Sequence, residues 1–116
     1  ERVVFVERGR RALAALRRNL EAVGLGGEVV AGDVGSYLEG CTDTFDLVFV
    51  DPPYDRPLAS VEEVLGRVVT LLRAGGVVVV HRRAGSGAPE VPGLEVVDRR
   101  RYGDTEITRL QIEEDR

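Results

Sequence analysis

Three scarcities limit what this 116-residue chain can be: one cysteine, no excess of basic residues and no long apolar run. The lone Cys41 cannot close an internal disulfide, and without a metal-ligand spacing or a neighbouring histidine it supports neither thiol catalysis nor zinc binding. No metal is therefore expected. No apolar stretch approaches the roughly 20 residues that span a bilayer, so no membrane partner is expected either. The opening apolar segment is a short strand with acidic and basic flanks rather than a secretory signal, which makes the cytoplasm the expected location. A net charge of -4 and a pI near 5.1 count against a general nucleic-acid coat, which would normally be basic. What is present, 43% hydrophobic and 31% charged residues, describes a globular chain. Its length allows one domain over residues 1–116, small for a complete doubly wound enzyme.

Apolar patterning alternates between strand and helix. Val3 to Glu7 reads as a buried strand, followed by a helix from about Gly9 to Val23 with Leu13, Leu16, Leu20 and Val23 on one face. Gly24, Gly26 and Gly27 stop it. Glu28 to Asp33 is expected as a strand and Val34 to Leu38 as a short helical turn, with Tyr37 packing on it. Val61, Val64, Leu65, Val68 and Leu72 mark a second amphipathic helix, with Ser60 and Glu63 spaced as a capping box. Gly75 and Gly76 should end that helix, and Val77 to Val80 should be an interior parallel strand. A Gly/Ser/Pro loop spans Gly85 to Gly93. Strands at about Leu94 to Arg101 and Thr105 to Glu113 then form an antiparallel hairpin turning at Tyr102-Gly103-Asp104.

Residues 45–54, Phe-Asp-Leu-Val-Phe-Val-Asp-Pro-Pro-Tyr, carry the most chemistry. Phe45, Leu47, Val48, Phe49 and Val50 form a short run of the kind expected for a strand covered on both faces. Pro52 and Pro53 end it, because neither has an amide proton for a ladder, and Pro52 biases Asp51 toward an extended conformation. The carboxylate is thus held at the carboxyl edge of the sheet, where open α/β sheets bind ligands. Asp51 and the Pro52 carbonyl can both accept hydrogen bonds from one NH2 group, and Tyr54 offers a ring for a base to stack on, worth about 1 to 3 kcal/mol. The competing reading is a stiff strand end without chemistry.

Asp51-Pro52-Pro53-Tyr54 resembles the (Asp/Asn/Ser)-Pro-Pro-(Tyr/Phe) signature of S-adenosylmethionine-dependent methyltransferases acting on exocyclic amines. Val3-Val4-Phe5-Val6-Glu7-Arg8, Arg18-Asn19-Leu20, Gly32-Asp33 and Arg101-Tyr102-Gly103-Asp104-Thr105 extend the likeness, over nearly the whole chain, to the bacterial 16S ribosomal RNA (guanine-N2) methyltransferases. The resemblance implies a Rossmann-like class I methyltransferase fold, α/β and mostly parallel, with strand order 3-2-1-4-5-7-6 and a terminal antiparallel hairpin. It also implies that a first strand and its Gly-rich loop belong before Val3, so the chain is expected to be a partial domain. Gly24-Leu25-Gly26-Gly27 does not replace that loop, because it follows a helix.

The same resemblance implies S-adenosylmethionine as cofactor, with Glu7, beside Arg8, accepting from the ribose hydroxyls. Asp33 would accept from the adenine amino group, with the Val34 amide facing the ring, and Asp51 would close the site. An acid complementing a helix dipole at Glu7 and an ordinary N-cap at Asp33 are the plainer alternatives. The implied substrate is 16S ribosomal RNA or a small-subunit assembly intermediate, methylated at guanine N2, with Asp51, Pro52, Pro53 and Tyr54 as the catalytic group. Arg82, Arg83, Arg99, Arg100, Arg101 and Tyr102 lie at strand ends or in the hairpin, placed to meet phosphates. Arg8, Arg10, Arg11, Arg17 and Arg18 can equally be a solvated helix face. His81 departs from the family pattern and reads as a structural histidine. The rival readings are an adenine-N6 DNA methyltransferase, which shares the signature, and a noncatalytic nucleotide-binding module.

Overall fold

The computed structural model describes residues 4–7, 10–23, 28–31, 34–51 and 57–113. The backbone divides into two compact units, Glu1–Cys41 and Thr42–Arg116.

In the first unit, β1 (Val4–Glu7) and β2 (Glu28–Ala31) lie parallel, in register from Val4 opposite Glu28 to Glu7 opposite Ala31. Two parallel strands need a crossover, and α1 (Arg10–Val23) supplies it. Arg17 and Arg18 on α1 are exposed. A second helix, α2 (Val34–Gly40), follows β2 and runs two residues beyond the expected turn. Tyr37 is half-buried within it.

In the second unit, β3 (Phe45–Val50), β4 (Leu72–Arg83), β5 (Leu94–Tyr102) and β6 (Thr105–Ile112) form one sheet in the order β3-β4-β6-β5. β3 pairs parallel with β4 through the crossover helix α3 (Leu58–Val69), and β6 is antiparallel to both β4 and β5. The core follows from two periods meeting. Val61, Leu65 and Val68 recur at helical spacing on α3, and Val78 and Val80 alternate along β4. These five, with Leu72, Val91, Leu94 and Leu110, are the buried apolar residues among those described. Set against the family order 3-2-1-4-5-7-6, the two sheets match its outer pair and its outer four strands.

Four expectations need correction. The Phe45–Val50 strand is not covered on both faces: Leu47 is 50% and Phe49 72% exposed. Among the described strands β3 lies at one end of the order β3-β4-β6-β5. The capping box is absent, since α3 starts at Leu58 with Pro57 at the N-cap and no side-chain cap. Ser60 instead sits inside the helix with its amide on the Pro57 carbonyl at 3.1 Å, and Glu63 pairs with Arg67 at 3.6 Å. The helix also stops at Val69 rather than near the glycines, where Thr70 turns its hydroxyl onto the Arg67 carbonyl at 2.8 Å. Leu72 therefore belongs to β4, whose pairing with β3 shifts between Phe45 and Leu47 around Gly75 and Gly76. Finally, Val77–Val80 is interior but mixed, parallel to β3 and antiparallel to β6.

Candidate active site

Asp51 stands directly after β3. Val50 pairs with Val80, so the next position on each strand brings Asp51 beside His81 at the carboxyl edge of the parallel pair. Asp51 Oδ1 lies 2.9 Å from His81 Nδ1. The Asp51 side chain is 71% exposed and that of His81 39%, so the carboxylate meets its neighbour without leaving solvent. The opposite end of β3 is pinned independently. Arg73 donates to Asp46 Oδ2 at 2.9 Å and to Thr44 Oγ1 at 3.1 Å, and the Phe45 amide donates to the Leu71 carbonyl at 2.7 Å.

The hairpin reaches the same edge. β6 runs against β4, so Thr105 pairs with Arg83, and the Ala84 amide donates to the Asp104 carbonyl at 2.7 Å. The two-residue turn has Gly103 at φ 61 and no other positive φ, as in a type II′ turn, which suits the twist of the flanking strands. Tyr102, 57% exposed, begins that turn. With strands about 4.8 Å apart, the turn lies roughly 10 to 14 Å across the sheet from the strand that carries Asp51.

The six residues expected to meet RNA divide by their present partners. Arg99 donates to Glu106 at 2.7 Å and Arg100 to Asp98 at 3.0 Å, so both charges are compensated within the hairpin. The side-chain bond to Asp98, ahead of one to Tyr102, holds the Arg100 guanidinium above its ordinary pKa. Arg82 donates to the Ser86 carbonyl at 3.3 Å and Arg101 to the Gly103 carbonyl at 3.0 Å. Arg83 is exposed. Arg82, Arg83, Arg101 and Tyr102 thus form the basic, aromatic part of the edge.

Of the other expected site residues, Glu7 ends β1 beside Ala31 and Val34 opens α2. Arg8, Asp33, Pro52, Pro53 and Tyr54 lie outside the described residues, as do Gly32 and the side chain of Glu7. Cys41 is half-buried. Among the described residues no cluster of three or more His, Cys, Asp or Glu could hold a metal ion, and no helix is long and apolar enough to cross a membrane. His81, expected as a structural histidine, has Asp51 as its hydrogen-bond partner. Its signal was position, the first polar residue after Val77–Val80 on the strand that neighbours the Asp51 strand.

The fold is that of the Rossmann-like class I methyltransferases. A candidate S-adenosylmethionine-dependent methyltransferase from Streptococcus mutans superposes with a TM-score of 0.80 at 13% identity, over 96% of this chain and 38% of that one. A candidate methyltransferase from Escherichia coli, yhhF, gives a TM-score of 0.79 at 25% identity, over 97% of this chain and 63% of that one. The family described as conserved hypothetical protein 95 matches residues 1–111, and the chain belongs to it. In sequence, a Mycobacterium ulcerans protein named as a candidate O-methyltransferase is 45% identical over 78 residues, 64% of this chain. The chain spans 30% of the length of that relative.

Proposed function

We propose that this chain forms part of an S-adenosylmethionine-dependent N-methyltransferase that methylates the exocyclic N2 of a guanine in 16S ribosomal RNA. The observation that carries this reading is the edge itself: an exposed Asp51 carboxylate at the carboxyl end of β3, with Arg82, Arg83, Arg101 and Tyr102 on the same rim. A carboxylate there accepts hydrogen bonds from an amino group, and the rim offers guanidinium groups to phosphate and a ring to a base. The chain as a whole is acidic, so RNA would be held at this rim rather than by overall charge.

The residues present suit the cofactor's nucleoside end in donor chemistry. Glu7 closes β1 next to the carboxyl end of β2, where an acid can accept from ribose hydroxyls. Asp33 and the Val34 amide follow β2 and would take the adenine. When bound, S-adenosylmethionine supplies an electrophilic methyl group. The nucleophile is an amine whose lone pair is spread into the guanine ring, and Asp51 with the Pro52 carbonyl helps localise it on nitrogen by accepting from its protons. Tyr54 would stack on the base. The methylated nitrogen would then give a proton to Asp51 or to water. Catalysis by these residues is positioning and electrostatics.

The mycobacterial relative's name and the Asp51–His81 contact favour one second reading, methylation of a hydroxyl with the imidazole as base. The product separates the two. Incubating the native gene product with labelled S-adenosylmethionine and ribosomal RNA, then analysing nucleosides, should give N2-methylguanosine. A 2′-O-methylated nucleoside would establish the second reading.

A further inference from the structure

We infer that His81 is a positioning residue for Asp51, an inference that rests on Asp51 being the group that grips the amine. An ionised carboxylate only accepts hydrogen bonds, so the 2.9 Å contact requires a proton on Nδ1. The exposed Asp51 side chain would otherwise sample several rotamers, because water can satisfy it in each. The imidazole removes that freedom. It grows from β4, an interior strand bonded on both sides, with Val80 buried next to it and Ile107 opposite on β6. Binding Oδ1 from this fixed base leaves Oδ2 as the oxygen turned to the substrate. The signature Asp51-Pro52-Pro53-Tyr54 does not itself fix the rotamer of the carboxylate, and the contact with His81 does.

The chain contains a single histidine, and comparison with His81→Ala assigns its ring signals in the native gene product. With nitrogen-15-labelled histidine, the native gene product should show the Nδ1–H tautomer, changing to mainly Nε2–H in Asp51→Ala. An Nε2–H tautomer in the wild type, unmoved by that substitution, overturns the contact and the inference whatever the activity. In the transfer assay, His81→Ala should lower kcat about tenfold, in the range of coupling between touching side chains, without moving the KM for S-adenosylmethionine. His81→Asn, whose amide can donate from nearly the Nδ1 position, should restore most of the rate. In an Asp51→Ala background, removing His81 should cost little more. An unchanged kcat in His81→Ala, or equal losses with and without Asp51, would assign His81 no positioning role. Loss of transfer in Asp51→Ala within the same series would leave the parent reading standing. A wild type inactive on every exocyclic-amine substrate would reject the parent reading and with it any positioning for that reaction.

Discussion

Asp51 is held by covalent and hydrogen-bonded constraints of different origin: prolines follow it in the sequence, and His81 meets it across the sheet. If it accepts from the amine in the transition state, Asp51→Ala should lower methyl transfer by at least about a hundredfold, comparable to losing one preorganised hydrogen-bond partner. Cofactor affinity measured by titration calorimetry should stay nearly constant. Glu7→Ala should behave in reverse, weakening cofactor affinity first, and an affinity equal to wild type would remove its ribose role. The placement of Asp51 was legible because prolines that cannot continue a ladder fix where a strand ends. The contact with His81 was not, since a contact across 30 positions depends on strand register, which periodicity along one strand does not encode.

At the scale of elements, α3 and the hairpin carry different loads. Leu65 is fully buried between helix and sheet, so Leu65→Ala should cost about 2 to 5 kcal/mol in chemical denaturation. The hairpin arginines should separate into two classes. Arg83→Ala and Arg101→Ala should weaken RNA binding and each reduce the salt dependence of the affinity by about one unit of slope. Arg99→Ala should act chiefly through the hairpin by leaving Glu106, mostly buried, without its partner. Salt titrations of RNA affinity would distinguish them, and equal slopes for all of these variants would contradict the division. The hairpin and its turn were legible from Tyr102-Gly103-Asp104, because only a few residue types suit so short a turn. The start and end of α3 were not. The first turn formed from Pro57 without a side-chain cap, and Thr70 closed the helix before the glycines could. Continuous hydrophobicity in β3 likewise could not tell a strand covered on both faces from one showing Phe49.

Across the whole chain, every one of the 16 basic residues is arginine, against 20 acidic ones. Guanidinium groups bind phosphate in a bidentate fork and stack on bases, which lets a few well-placed residues recognise RNA without a basic surface. The class of fold was legible because alternating strand and helix patterns leave few topologies open. The substrate is a finer matter, since the Asp-Pro-Pro-Tyr signature serves several exocyclic amines and only the hairpin speaks for RNA. The most direct test presents S-adenosylmethionine with labelled methyl and the native gene product to ribosomal RNA, small ribosomal subunits and duplex DNA in parallel, followed by nucleoside analysis. N2-methylguanosine in the RNA, lost with Asp51→Ala, is the expected result. N6-methyladenine in the DNA, or transfer to none of the three, would contradict it.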